Sequence, residues 1–487
     1  MTKKVLIIGG GIAGLSTGCY AQMNGYSSEI YEMHSIPGGL CTAWKRKEFL
    51  FDGCLHWLTG IDSSSEYYRL WEELGAVQGK TFIRYSYYSV SVDEEGRTFT
   101  VYTDPVKLRE EMIRIAPEDW RQIDRIIRDI RIMMNNEMPP ELSFRKIIPL
   151  LKNILLIYKY RKSIRDLASG FSNHVLRNLF ILALDWGEMC SAFVLWTLAH
   201  LATGMSGYPI GGSRSFIDSI VKRYKGLGGI IHLHSKVTGI IIENNKATGV
   251  RLADGTEHRG DIVISAADGH TTIFDWLGGK YLSPGISRAY NEFILFPPLV
   301  YVSLGVNGDF SAEPHSRNYT LKKPIRIGPD ELQTIFIRNN ALDPTFAPPG
   351  KSTLAVMLNT NYDYWQSIAY GSDEYHAEKE RIGEMVVSAL EELYPAIRNQ
   401  IEVTDIATPH TFVRYTGNWK GSYEGWLLDR KALNQRNLMT LPGLENFYMV
   451  GQWVSPGGGL PSGLITSRIA IRKICKKDKK PFVTSVP

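Results

Sequence analysis

The sequence predicts an α/β fold, a Rossmann-like three-layer nucleotide-binding domain that carries an inserted α+β domain. Three stretches point there: a glycine-rich strand–turn–helix at the start, a second near the end, and alternating strands with a covering helix between them.

Val5-Leu6-Ile7-Ile8 is a continuous apolar run of the kind a buried strand shows. Gly9-Gly10-Gly11-Ile12-Ala13-Gly14 follows at once and reads as GxGxxG on Gly9, Gly11 and Gly14. Leu15, Cys19, Tyr20 and Met23 then recur at helical spacing up to Gly25, and a second strand over 28–32 ends on Glu32. Each part has a task in dinucleotide binding. Gly9 permits the tight turn, Gly11 leaves room for a pyrophosphate on the helix N-terminus, and Gly14 allows close helix–strand packing. Glu32 stands where a carboxylate accepts the ribose hydroxyls of an adenosine, which argues against a 2′-phosphate and so against NADP. A bare GxGxxG is weak evidence. The strand before, the helix after and the acid at its distance make this one strong, and a glycine-rich turn of another βαβ unit leaves Glu32 unexplained.

At 487 residues the chain is too long for one simple core, so intergrown domains are expected. A net charge of +5 is mild and gives no nucleic-acid signature. The five cysteines, Cys19, Cys41, Cys54, Cys190 and Cys475, are scattered without a CxxC pair, which fits a reducing compartment and no structural zinc. Lys3-Lys4 before an apolar run imitates a signal peptide, but the run breaks at glycines. No stretch of about 20 uncharged apolar residues is present; 178–203 comes nearest and is interrupted by Asp185 and Glu188.

Past Glu32, Pro37-Gly38-Gly39-Leu40 supplies a second place of close backbone approach. Phe51-Asp52-Gly53-Cys54-Leu55-His56-Trp57 places a histidine and a tryptophan in one loop. His56 reads equally as a satisfied turn histidine and as a polar group facing a reactive site. Helices are expected over 104–115 and 117–134. The segment 144–167 mixes Ile147, Ile148, Leu150, Leu151, Ile154, Leu155, Leu156 and Ile157 with basic flanks. It suits an anionic bilayer surface as well as it suits a core helix with a basic side. A helix is expected over 216–224, strands over 230–233 and 261–268, and a hairpin over 235–252. His232 and His234 are ordinary strand histidines without a third ligand nearby. Strands over 299–306, 334–338, 352–358 and 400–406, with a helix over 375–393, form the inserted sheet.

Near the C-terminus, Phe447-Tyr448-Met449-Val450-Gly451 is a strand, and Pro456-Gly457-Gly458-Gly459-Leu460-Pro461-Ser462-Gly463 leads into a helix over 464–474. Without an acid at ribose distance, this is not a second nucleotide site. Its helix N-terminus would place free N–H groups against the reactive end of a cofactor. The basic tail, 473–480, is expected to be mobile. One discontinuous domain, 1–75 with 206–290 and 430–487, then binds the nucleotide. Residues 76–205 form a helical region facing substrate or membrane, and 291–429 form the antiparallel-sheet domain.

With both glycine-rich ends in view, the chain resembles the phytoene desaturase-like FAD oxidoreductases, which include carotenoid desaturases, carotenoid isomerases and the retinol-saturase type, on the FAD-linked amine oxidase fold. The matching segments are 9–14 with Glu32, 37–39, 208–212, 263–268, 408–425 and 451–463. The loop 51–56 is most similar to the retinol-saturase branch, which carries a histidine there. Leu40 departs from the pattern, since many relatives have arginine after the paired glycines. The resemblance implies FAD held by Gly9, Gly11, Ile12, Ala13, Gly14, Glu32, Gly38, Gly39, Leu40, Val237, Gly451, Gly458, Gly459, Leu460 and Pro461, with His56 and Trp57 in the catalytic neighbourhood. It implies a flavin beside an apolar tunnel for a long isoprenoid, polyene or related lipid. Trp186, Trp196, Tyr415, Trp419 and Trp426 suit such a tunnel, core packing being the other account of each. Electrons would pass to or from a transient partner, whether quinone, oxygen, a nicotinamide or another carrier. A cytoplasmic protein, peripheral on the inner face of the membrane through 144–167, is expected. An amine oxidase and a non-catalytic prenyl- or lipid-binding escort share the architecture and stand as alternatives.

Overall fold

A computed structural model describes residues 2–137, 147–435 and 438–487, so the expected segment 144–167 begins outside the described residues. Strand Lys4–Ile8 is the middle of a five-stranded parallel sheet, ordered Ile230–His232, Ser27–Tyr31, Lys4–Ile8, Ile262–Ser265, Phe447–Met449. From Val5 to Ile8 the strand is apolar because both faces are covered. Val5 and Ile7 pack with Ile217, Tyr224, Leu464 and Ile471 of the helical layer. Leu6 and Ile8 pack with Val237, Ile240 and Val250 of a small antiparallel sheet on the other side. Helices, parallel sheet and antiparallel sheet are the three layers.

Helix Ile12–Met23 packs against helices Gly459–Lys477 and Gly212–Gly226. Small residues permit this. A Cβ on Gly463 would come 2.8 Å from Ile12 Cγ2, and one on Gly18 2.5 Å from the Tyr224 ring. Ser467 Oγ donates to the Ala13 carbonyl at 2.7 Å. The N-termini of the first and last helices thereby come together although their residues stand at opposite ends of the chain.

A seven-stranded sheet runs in the order Ile401–Ala407, Leu299–Val306, Ser352–Asn359, Asp330–Asn339, Ser316–Ile327, Tyr87–Val92, Thr98–Tyr102. One face is covered by helix Asp373–Glu391, with Val302, Val356 and Ile337 against Ile382, Val386 and Leu390. The other face presents Leu299, Tyr301, Met357 and Phe336. Helices Trp120–Met134, Ile147–Lys159, His174–Leu184 and Ser191–Ala202 share a core that includes Ile123, Leu156, Leu179 and Leu195.

Several expectations are corrected. The region 76–205 is not helical throughout: Tyr87–Val92 and Thr98–Tyr102 are strands of the large sheet, and Tyr87–Val92 pairs with Ser316–Ile327 in parallel. The sheet is therefore mixed, because this edge is recruited from a distant part of the chain. The segment 144–167 is not one helix. Helix Ile147–Lys159 ends, and Ser163 with Asp166 forms a capping box that starts Ile164–Ala168. The extended backbone that a cap requires breaks the helix there. The C-terminal tail is not mobile. The last helix reaches Lys477, and the following residues dock on the nucleotide domain. Val483 N donates to Asn24 Oδ1 at 2.8 Å, Arg223 donates to Ser485 O at 2.8 Å, and the Lys480 ammonium lies 3.6 Å over the Tyr26 ring.

Candidate active site

The groove begins at the first βα turn. Gly9 has φ 94°, a left-handed value that glycine adopts without strain. A Cβ on Gly14 would stand 1.9 Å from Gly9 O, so no side chain fits where the helix meets the strand. Gly11 faces the Pro37-Gly38-Gly39 turn: Gly38 N donates to Gly10 O at 2.9 Å, and a Cβ on Gly39 would reach Gly11 Cα at 3.3 Å. The two glycine turns form a cradle of bare backbone. Glu32 closes its edge. Glu32 Oε2 accepts from Gly10 N at 2.7 Å, and Oε1 accepts from His34 N at 2.9 Å.

The cavity over this cradle holds about 640 Å³ and is lined by Gly9, Gly11, Ile12, Ala13, Glu32, Gly38, Gly39, Leu40, Val237, Gly451, Gly459 and Leu460. Gly14 lies behind it as a packing residue. A dinucleotide matches this space: the cradle that a Cβ would fill takes a pyrophosphate, and Glu32 stands beside it for a ribose. Tyr415, expected in the tunnel, lines this cavity instead. Asp268, also on its wall, accepts from Thr271 N at 2.7 Å and Trp419 N at 2.8 Å, and burial pushes its carboxyl up to about 6.

A second cavity, of about 400 Å³, is walled by His56, Trp57, Trp186, Trp196, Tyr301, Met357, Phe412 and Ile157, and by Gly458 and Pro461. Trp419 and Trp426 do not line it. Trp426 is fully buried in an aromatic cluster with Tyr290 and Trp453, and Trp419 stacks on His270 at 4.9 Å. The two cavities share six wall residues: Leu40, Cys54, Tyr423, Glu424, Gly459 and Leu460. Groove and apolar cavity thus meet at the N-terminus of helix Gly459–Lys477.

The loop carrying His56 is anchored by Asp52. Asp52 accepts from Ser213 N at 2.6 Å, Ser213 Oγ at 2.5 Å and Cys54 N at 2.8 Å, at the start of helix Gly212–Gly226. A Cβ on Gly212 would fall 2.3 Å from Asp52 Oδ2, which explains the glycine there. Burial pushes the Asp52 carboxyl up despite these donors. Burial also holds His56 well below its ordinary range, with the Arg338 charge adding to the effect, so its imidazole is neutral at pH 7. His200 and Trp196 line the same cavity, and His200 Nε2 and Trp196 Nε1 are buried without hydrogen-bond partners among the described residues.

Sequence reasoning missed Glu424. Its carboxyl takes no hydrogen bond or ion pair among the described residues, and burial pushes it up to about 8. A Cβ on Gly459 would lie 3.7 Å from Glu424 Oε1, so the acid sits beside the first turn of the last helix. Only its place between Gly421 and Gly425, inside the matched segment 408–425, hinted at it. A protonated carboxyl at the seam of two cavities is placed to give or take a proton there.

The family model for flavin containing amine oxidoreductases matches residues 12–475. The chain is 24% identical over 510 residues to a phytoene desaturase (lycopene-forming) of Pseudescherichia vulneris, covering 98% of this chain and 99% of that protein. It is 24% identical to a chloroplastic prolycopene isomerase of Daucus carota, covering 93% and 77%. An oxidoreductase from Methanosarcina mazei shares the fold, with a TM-score of 0.62 and 17% identity over 96% of this chain and all of that one. FAD is the cofactor that these matches and the cradle agree on. With the match spanning nearly its whole length, the chain belongs to the flavin containing amine oxidoreductase family and is an FAD-dependent oxidoreductase.

Proposed function

We propose that this enzyme desaturates, saturates or isomerises carbon–carbon bonds of a long apolar isoprenoid or polyene. The observation that carries the reading is the meeting of the nucleotide groove with an apolar, tryptophan-walled cavity at Glu424. The phytoene desaturase and prolycopene isomerase likenesses support it. FAD, when bound, supplies the hydride acceptor or donor that no side chain provides. Glu32 and the cradle of Gly11, Gly38 and Gly39 hold its ribose and pyrophosphate. The first turn of helix Gly459–Lys477, on the wall the two cavities share, would offer its N–H groups to the bound cofactor. Trp57, Trp186 and Trp196 orient the chain and exclude water. Glu424 gives the proton that a saturation needs, accepts the one that a desaturation releases, and does both in turn in an isomerisation.

An amine substrate finds less support, because the Arg338 charge, which acts on His56 and Tyr301 of the cavity wall, disfavours a protonated amine there. A flavin-free lipid escort has no use for an intact cradle with Glu32. Helix Ile147–Lys159 supports delivery from a bilayer. Ile157 lines the cavity, while Leu151, Ile154, Leu155 and Tyr158 are exposed on the outside, with Lys152 beside them and Arg161 3.8 Å over the Tyr158 ring. An apolar face edged with cations fits an anionic membrane surface. Among the described residues no helix is long and apolar enough to cross a membrane. Redox exchange with a quinone, oxygen, a nicotinamide or another carrier completes the cycle in either net direction.

The deciding experiment is a visible spectrum of the purified protein followed by incubation with a C40 polyene. A flavin spectrum with a changed polyene absorption is expected: a longer-wavelength band for desaturation, a lost band for saturation, a shifted one for isomerisation. A flavin-loaded protein that oxidises amines and leaves polyenes untouched would replace this reading.

A further inference from the structure

Arg338 is a cation with no assigned partner in an otherwise apolar setting. It lies in strand Asp330–Asn339, two residues beyond Phe336, so both side chains leave the same face of the sheet. That face carries Leu299, Tyr301 and Met357 of the cavity wall, with Phe336 paired to Met357 and Arg338 to Ala355. The Arg338 charge acts on His56 and Tyr301, which line the cavity, and on Tyr88, packed edge-on to Trp57 at 5.5 Å. Among the described residues it makes no hydrogen bond and no ion pair. His315 cannot answer it: stacked on Tyr85 at 3.7 Å, it is kept neutral by burial and by Arg338 itself.

One acid stands within reach of the field. Asp185 ends helix His174–Leu184 with φ 71° and ψ −70°, a tight turn closed by Trp186 N donating to Leu184 O at 2.9 Å. This conformation is rare and strained for any residue with a side chain. It places Asp185 next to Trp186 of the cavity wall. Burial pushes the carboxyl up to about 7 against the pull of Arg338, and it takes no hydrogen bond among the described residues. The two groups feel each other without pairing. A guanidinium on this mostly apolar face, with no counter-ion among the described residues, is free to pair with an anionic ligand.

We propose that the substrate is an amphiphile, an apolar polyene or isoprenoid chain ending in a carboxylate, and that Arg338 pairs with that carboxylate while Asp185 flanks it. This deepens the reading of the cavity as a site for an apolar chain and rests on it. A carboxylate fits better than a phosphate or diphosphate: one guanidinium offers two parallel N–H donors to one carboxylate, whereas a multiply charged group calls for several cations.

The test is equilibrium binding to the FAD-loaded enzyme of cis-parinaric acid, a fluorescent tetraene carboxylate, and of its methyl ester. The acid is expected to bind at least about tenfold more tightly than the ester, the gain of one charge-assisted hydrogen-bonded pair. In Arg338→Met the preference disappears while ester affinity stays, which also shows that the variant is folded; Arg338→Lys keeps part of it. Equal affinity of wild-type enzyme for acid and ester overturns the carboxylate assignment alone. A preference that survives Arg338→Met does the same. Failure of both ligands to bind overturns this proposal together with the apolar-chain reading beneath it.

Discussion

Glu32 Oε2 accepts a hydrogen bond of 2.7 Å from the backbone N–H of Gly10, so the acid at the end of the second strand buttresses the glycine turn itself. Its other oxygen takes His34 N at 2.9 Å, and both bonds hold the carboxylate at the groove edge before any ribose arrives. Glu32→Ala removes the ribose acceptor and also leaves the Gly10 N–H unpaired. A charge-assisted hydrogen bond of about 1.5–3 kcal/mol corresponds to FAD affinity weakened by about ten- to a hundredfold. Flavin content after gel filtration checks this, and full retention would refute the role.

Glu424 sets a pH dependence. Its carboxyl is raised from 4.5 to about 8, so the folded state holds the proton more tightly than the unfolded chain. The stability this contributes is complete below about 4.5 and is lost as pH rises through about 8. Glu424→Gln is expected to remove that dependence: the difference in unfolding midpoint between variant and wild type should grow in the variant's favour from pH 5 to pH 8. In the saturating direction, wild-type turnover should fall above about pH 8, and Glu424→Gln should lose most turnover while keeping its flavin. Identical pH profiles for the two proteins would count against a proton role.

Leu155 is 69% exposed and Ile154 is 49% exposed on the outer face of helix Ile147–Lys159. Replacing either by glutamate touches no core contact, so thermal stability should not change. If the face rests on a bilayer, each loses an apolar contribution of about 1.5–3 kcal/mol, or about ten- to a hundredfold in partitioning. Co-sedimentation with phosphatidylglycerol-containing vesicles reads this directly. Unaltered sedimentation would remove the membrane from the account of this helix.

Asp52 ties the His56 loop to helix Gly212–Gly226. Asp52→Ala strands the N–H groups of Ser213 and Cys54 inside the protein, at a cost of about 1–3 kcal/mol each. Urea unfolding should show a lower midpoint, and kcat should fall because the loop loses its anchor. A loss of stability without loss of kcat in the folded fraction would separate Asp52 from the site.

What could be read along the chain was whatever acts over a few residues. The turn at Gly9 and the closeness required at Gly14 are steric facts local to one segment. The strand Lys4–Ile8 announced itself because a strand covered on both faces needs an unbroken apolar run. The strands Tyr87–Val92 and Thr98–Tyr102 gave no comparable signal, since their place in the sheet depends on Ser316–Ile327, more than two hundred residues away.

The sequence by itself determined the nucleotide cradle, the acid beside it and the glycine-rich return at the C-terminus. Only the tertiary structure decided what lies opposite the cradle. Glu424, Asp185 and Arg338 are ordinary charged residues in the chain; burial sets the two acids apart, and none of the three side chains finds a partner among the described residues. The tail likewise looked free until Asn24 and Arg223 were seen to hold it. Burial and unpaired charge are properties of an environment assembled from distant segments, and no short stretch of sequence contains them.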